Sequence, residues 1–308
     1  MQIAVHGREF KAEDKTQVQQ VFDELSKHQI DIQITSSFRK TLAEAEVITH
    51  TDQVMNTSKD LSRSDVVLSL GGDGTFLETV GIVAAEEKPI LGINFGRLGF
   101  LTSIQPDEIC SAIQKIITGH YTLDERTMLH ADSEIELFES GTNFALNEIA
   151  ISKTDTSSMI IIHAYINGEF LNSYWADGLM VSTATGSTGY SLSCGGPLVM
   201  PHSDNFIITP ICPHNLFVRP MIVSNDSVIS LKVESRSNNY LVSMDSRAKI
   251  IGNVESEITI KKEDFKAKLL TLEGSDFLNT LRVKLGWGTD VRNRVTTPPE
   301  AEIGTNKQ

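Results

Sequence analysis

Two glycine-rich runs hold the residues best suited to chemistry. The first is Gly71-Gly72-Asp73-Gly74-Thr75, and the second is Thr183-Ala184-Thr185-Gly186-Ser187-Thr188-Gly189-Tyr190. The first follows an apolar segment at 66–70 and precedes a helical pattern over 76–85. Glycines between a strand and a helix leave backbone N–H groups free to cradle phosphate oxygens, here at Gly71, Gly72 and Thr75. A lone carboxylate among them would repel a phosphate. Asp73 is better suited to taking a proton or to holding a metal ion beside the phosphate, which points to phosphoryl transfer. By itself the run is equally compatible with a structural turn in which Asp73 caps the helix.

The second run shifts that balance. Its eight small or hydroxylated residues lead into Ser191-Leu192-Ser193-Cys194-Gly195-Gly196-Pro197, again short of bulk. Such a stretch lets backbone and hydroxyl groups approach a polyhydroxylated ligand closely, and Tyr190 adds a ring and an OH. Asn147-Glu148, at the entrance of the apolar Ile149-Ala150-Ile151, is either an ordinary polar pair or a group able to bond sugar hydroxyls and adenine edges. Neither a Gly-x-x-x-x-Gly-Lys-Ser/Thr loop nor a Gly-x-Gly-x-x-Gly fingerprint after a strand is present. None of the eight histidines has ligand spacing, and the sequence offers no metal-binding set of its own. His214, within Pro213-His214-Asn215, is the histidine nearest to a motif.

These residues need elements to hold them. Up to about residue 120, apolar runs at 3–5, 30–34, 66–70 and 90–93 alternate with helical patterns at 18–25 and 109–117. Alternation of that kind predicts an α/β domain with a parallel sheet, whose ligands sit beyond the carboxyl ends of the strands. From Tyr121 the segments become short, rich in branched side chains and separated by turns, with Asn167-Gly168 as a hairpin signal. The second domain is therefore expected to be mostly β. The expected boundaries are 1–122 for the α/β domain, 123–276 for the β-rich domain, and 277–295 for an amphipathic segment returning to the first. Residues 296–308, with Pro298-Pro299, read as a disordered tail.

Composition narrows the function classes. The 308 residues carry 27 Lys and Arg against 40 Asp and Glu, a formal charge of −13. That balance argues against a nucleic-acid or anionic-membrane surface but not against a small anionic substrate in a local glycine nest. Cys110, Cys194 and Cys212 are too scattered for a disulfide framework and read as ordinary thiols of a reducing cytoplasm. The start of the chain reads as a strand rather than a signal peptide, and no segment approaches the roughly 18 apolar residues of a spanning helix.

The same residues carry a family resemblance. Gly71-Gly72-Asp73-Gly74, Asn94-Phe95-Gly96-Arg97-Leu98-Gly99-Phe100-Leu101, Asn147-Glu148, and Asp177-Gly178 followed by Thr185-Gly186-Ser187-Thr188-Gly189-Tyr190 resemble NAD kinases in order and spacing. Pro210-Ile211-Cys212-Pro213-His214-Asn215-Leu216 and residues 281–287 look like the later signatures. The resemblance spans roughly residues 60–290. It implies transfer of the ATP γ-phosphoryl group to the 2′-hydroxyl of the adenosine ribose of NAD, giving NADP. By similarity Asp73 accepts the proton and Gly74 touches the ligand. Asn147 and Glu148 bind the adenosine ribose and the nicotinamide side. Asp177, Thr185, Thr188, Gly189, Tyr190, Ser191, Leu192 and Ser193 hold the nicotinamide and adenine portions of an NAD shared between subunits. A homodimer or homotetramer is implied, as is a divalent cation, Mg²⁺, held mainly by ATP phosphates.

Several positions depart from the family pattern. Gly189 stands for Ala and Ala184 for Pro, Asp245-Ser246-Arg247 replaces Asp-Gly-Gln, Glu78 stands where a basic residue is usual, and Ser158 where a longer polar one is. Two other functions share some of these features: a diacylglycerol-type lipid kinase with the same Gly-Gly-Asp-Gly run, and a non-catalytic NAD(P) sensor. The sequence leaves open NAD against NADH and ATP against polyphosphate.

Overall fold

The computed structural model describes residues 1–287 apart from 97, 140, 156–157, 253–255 and 274–275. Its first part runs β1 (Gln2–Gly7), α1 (Lys15–Lys27), β2 (Asp31–Thr35), α2 (Ser36–Glu44), β3 (Val54–Met55), β4 (Val66–Leu70), α3 (Asp73–Val83), β5 (Ile90–Ile93), α4 (Ile109–Ile117) and β6 (Tyr121–Arg126). The second runs β7 (Leu129–Ser133), β8 (Phe144–Ala145), β9 (Glu148–Ser152), β10 (Ile160–Ile166), β11 (Glu169–Ala176), β12 (Gly178–Thr183) and α5 (Tyr190–Ser193). It continues with β13 (Asn205–Ile211), β14 (Met221–Ser224), β15 (Ile229–Glu234), β16 (Tyr240–Met244), β17 (Arg247–Ile251), β18 (Ile258–Lys262), β19 (Ala267–Leu272) and α6 (Phe277–Leu285).

Strand alternation builds the first sheet, ordered β3-β2-β1-β4-β5-β19-β6, parallel except for the β19–β6 pair. Ile3 and Val5 point to one face, where Val18, Val21, Phe22 and Leu25 of α1 and Ile109, Ile113 and Ile116 of α4 cover them. Ala4 and Val67 point to the other, against Phe76, Val80 and Val83 of α3. A sheet covered on both faces needs apolar residues at every position, which is why Val66–Leu70 is buried throughout.

The β half is two six-stranded sheets, β11-β10-β15-β18-β7-β8 and β14-β13-β12-β9-β16-β17, with antiparallel pairings. Their inner faces close on one core that includes Ile162 and Leu231 from the first and Ile151, Val181, Phe206 and Val242 from the second. Asn167-Gly168 turns the β10–β11 hairpin, Asn167 at φ 52° and Gly168 at φ 83°.

The fold differs from the sequence expectations in three places. Residues 268–272, expected in the β half, lie in β19 of the first sheet, so the chain returns before α6 rather than with it. Helix α2, which shows only Phe38 and Leu42 as buried anchors, went unread because two apolar residues make too weak a period. Helix α3 begins at Asp73 rather than at Phe76, since the Phe76 N–H already bonds to the Gly72 carbonyl at 3.1 Å. Of the expected returning segment, residues 277–287 are described, and Phe277 stacks at 6.2 Å against Phe100. The expected tail at 296–308 lies outside the described residues.

Candidate active site

Gly71 leaves β4 at φ +148°, a conformation that favours glycine, and a Cβ there would meet the Thr75 hydroxyl. The turn sets Asp73 as the first residue of α3, beyond the carboxyl end of the parallel strand. Around the ends of β1, β4 and β5 opens a cleft lined by Phe10, Lys11, Gly71, Gly72, Thr75 and Asn94. A Cβ on Gly72 or Gly74 would meet nothing within 4 Å, so the backbone on both sides of Asp73 faces open space.

The Asp73 carboxylate is gripped from the loop after β5. It accepts the Phe100 N–H at 2.8 Å, the Leu101 and Thr102 N–H groups at 3.1 Å each, and the Thr102 hydroxyl at 2.9 Å. Those donors fix its orientation. Gly99 makes the grip possible, because a Cβ there would lie 2.0 Å from Asp73 Oδ1.

The second motif forms two short helical turns, residues 185–188 and α5, rather than an extended loop. It packs against Asn147 and Glu148: a Cβ on Gly186 would sit 2.1 Å from the Asn147 carbonyl oxygen, and one on Gly189 would lie 3.3 Å from Glu148 Oε2. Thr183 donates to the carbonyls of Asn147 (N–H, 2.9 Å) and Leu146 (hydroxyl, 2.6 Å). The Asp245 carboxylate accepts the N–H groups of Leu146, Asn147 and Glu148, fixing this corner from beneath. The Oε2 of Glu148 is buried without a hydrogen-bond partner. Burial, with Asp245 close by, pushes the Glu148 carboxyl up to about 8, so it carries a proton at neutral pH. Asp245 is also raised by burial, against the pull of its three N–H donors.

Leu146 ties the two motifs together. It packs in one apolar cluster with Phe76 of α3, Leu101 of the gripping loop, Met128 and Phe144. Arg126, buried at the end of β6, adds a polar tie by donating to the Thr185 hydroxyl at 3.2 Å while pairing with Asp124. Tyr190 is about half exposed, with Asp177 and Cys212 near its hydroxyl, and Asp177 pairs with Lys153 at 2.7 Å. Not every expected ligand residue faces outward. Ser191 is buried and bonded to Thr209 at 3.0 Å, Leu192 and Thr188 are half-buried, and Ser193 is exposed.

A family assignment rests on this arrangement and on comparison with known proteins. Residues 3–121 match the ATP-NAD kinase N-terminal domain and residues 146–272 the ATP-NAD kinase C-terminal domain. The chain belongs to the ATP-NAD kinase family. It is 49% identical to the NAD kinase of Cytophaga hutchinsonii over 95% of this chain and 100% of that one, and 45% identical to that of Flavobacterium psychrophilum over the same shares. An Archaeoglobus fulgidus NAD kinase solved in complex with ATP superposes with a TM-score of 0.72 at 26% identity, covering 93% of this chain and 98% of that one. A yeast NADH kinase solved with NADH shares the fold, with a TM-score of 0.82 at 24% identity over 96% of this chain and 90% of that one. The kinase is thus a phosphotransferase with an alcohol group as acceptor.

The departures from the family pattern have structural roles. Arg247 donates to the carbonyls of Thr142 and Phe144 and stacks over the Phe144 ring, so it is spent holding the strand before Asn147. Glu78 pairs with Arg8 and stands 3.6 Å from His6 Nε2. Burial lowers the His6 pKa, so that histidine stays neutral at physiological pH. Ser158 bonds to Asp155 at 3.2 Å. Sequence reasoning missed Thr102 and Arg126, which reach the site only through strand order. It flagged the 245–247 triplet without foreseeing that Asp245 would hold the Asn147-Glu148 backbone. His214 donates its backbone N–H to Trp175 at 2.8 Å. Among the described residues no group of three or more His, Cys, Asp or Glu is placed to hold a metal, and no helix is long and apolar enough to cross a membrane.

Proposed function

We propose that Asp73 is the general base of an NAD kinase that phosphorylates the 2′-hydroxyl of the adenosine ribose of NAD. The supporting observation is the Asp73 carboxylate itself, fixed by four donors at the end of β4 with open backbone on either side. The proton passes from the hydroxyl to Asp73 as the new O–P bond forms and the bond from the γ-phosphorus to its bridging oxygen breaks. Positioned proton transfer of this kind contributes about 10²–10⁴-fold. Gly72 and Thr75 lie where N–H groups at the start of α3 can meet the donor phosphates, whereas the Gly71 N–H, expected to do the same, is spent on the Ile93 carbonyl at 2.9 Å because the sheet pairing extends one residue past β4. Gly74, Asn147, Glu148, Asp177, Thr185, Thr188, Gly189 and Tyr190 form the NAD-binding side. Ser191, Leu192 and Ser193 belong to the same segment, with Ser191 supporting it from within.

Mg²⁺ is the proposed cation. It would be held mainly by ATP phosphates and water, and when bound would supply charge neutralisation on the phosphates. A homodimer or homotetramer is supported by the exposed Leu216, Phe217, Met221 and Ile222 on and before the edge strand β14. The proposed domains are the α/β unit, which runs to β6 and is rejoined by β19, and the β-rich unit between those two strands, with the described residues 277–287 packing back on the first. A cytoplasmic location is supported by the three free cysteines. The deciding experiment offers the purified protein ATP and Mg²⁺ with NAD or diacylglycerol, reading products by mass spectrometry. NADP formation supports the proposal, while phosphatidic acid, or no product from either acceptor, sinks it.

A further inference from the structure

We propose that Asn94 and Thr102 form a positioning relay that orders the Asp73 carboxylate and leaves Oδ2 as the oxygen that takes the substrate proton. The inference rests on the reading of Asp73 as the base and adds which oxygen acts and what aims it.

Hydrogen-bond chemistry fixes the direction of the relay. The Gly96 N–H bonds to the Asn94 side chain at 2.8 Å, and only the amide oxygen can accept it. The other end of the Asn94 amide is therefore NH₂, which donates to Thr102 Oγ1 at 2.9 Å. A hydroxyl has a single proton. With its oxygen already accepting from Asn94, that proton is directed to Asp73 Oδ1, 2.9 Å away. Asn94 is 4% exposed and Thr102 fully buried, so water does not compete for either group.

The two carboxylate oxygens then differ. Oδ1 accepts three bonds, from the Leu101 N–H, the Thr102 N–H and the Thr102 hydroxyl, which exhausts its lone pairs. Oδ2 accepts one, from the Phe100 N–H, among the described residues. Basicity is left on Oδ2. Sterics enforce the same geometry, since a Cβ on Gly99 would stand 2.0 Å from Oδ1 and 2.2 Å from Thr102 Oγ1. Glu9, Lys11 and Asp14 face the adjoining cleft, and Lys284 lies 4.7 Å over the Phe100 ring. Asp124, Arg126, His202 and Asp276 line the groove shared with Phe100 and Leu101. Thr102→Val changes none of these charges, so it isolates the hydroxyl.

The test compares Thr102→Val, which keeps the shape and deletes the hydroxyl, with Thr102→Ser, which keeps the hydroxyl. Thr102→Val is expected to lower kcat roughly tenfold while KM for NAD and ATP stays within about twofold. Thr102→Ser restores kcat. Should Thr102→Val fail to fold in thermal melts, Asn94→Ser removes the directing donor and is expected to lower kcat by a smaller factor. An unchanged kcat in the variant that folds, or a serine variant no better than valine, overturns the relay. Asp73→Asn separates the two proposals. If it keeps its turnover, the base assignment fails; if it is inactive while Thr102→Val turns over normally, the relay alone fails.

Discussion

Asp73 and Glu148 each stand beside a glycine-rich turn at a strand end, and their surroundings pull them apart. Asp73 is met by four donors, three of them consecutive backbone N–H groups, which fix the orientation of its carboxylate. Glu148 is buried, has an oxygen with no hydrogen-bond partner and sits near a second acid, so it is pushed up to about 8. One carboxyl is equipped to take a proton and the other to give a hydrogen bond. Two similar side chains acquire opposite chemistry from the donors around them, not from their own acidity.

The sharpest way to break this comparison is Asp73→Asn, which keeps the shape and removes the proposed base. Turnover is expected to fall by at least about two orders of magnitude with NAD affinity within severalfold. Near-native turnover beside normal binding would end the contrast. Next in size comes a pair of glycine changes. In Gly186→Ala the new methyl group would press on the Asn147 carbonyl, so the melting temperature should drop by roughly 5 °C. Gly74→Ala faces open space and should leave melting within about 2 °C while weakening substrate binding. Equal melting of the two variants would show that the Asn147 corner is not closely packed.

Tyr190→Ala probes the Glu148 side alone. Its ring is about half exposed, so the KM for NAD should rise several-fold with the fold intact. An unchanged KM would remove the ring from the site. The smallest expected effect is the pH dependence of stability. Because the folded state holds the Glu148 proton up to about 8, it binds more protons than the unfolded chain between the ordinary carboxyl range and that value. Stability should therefore fall as pH rises through that window. Glu148→Gln should flatten the slope and melt higher than the native protein on the alkaline side, and identical slopes in the two proteins would contradict a protonated Glu148.

Much of this is legible in the sequence. The buried run 66–70, the glycines after it and the small residues ending at Tyr190 announce themselves because strand period and lack of bulk are local properties. Thr102 and Arg126 carried no local signal: a threonine after an apolar pair and an arginine at a strand end are ordinary until the fold delivers them to Asp73 and Thr185. Asp245 stood out only as an unusual triplet. The return of β19 to the first sheet was hidden for the same reason, since its alternation suits either sheet.

The sequence by itself determined the class of the two halves, the place of Asp73 at a strand end and the family to which the chain belongs. Tertiary structure alone decided which groups surround each acid. Residues 29 positions apart bond at Asp73 and residues 97 apart at Glu148, and such pairings are set by strand order and packing rather than by any neighbouring residue. A carboxyl group's character depends on its donors and its access to water, and those are known only once distant segments have come together.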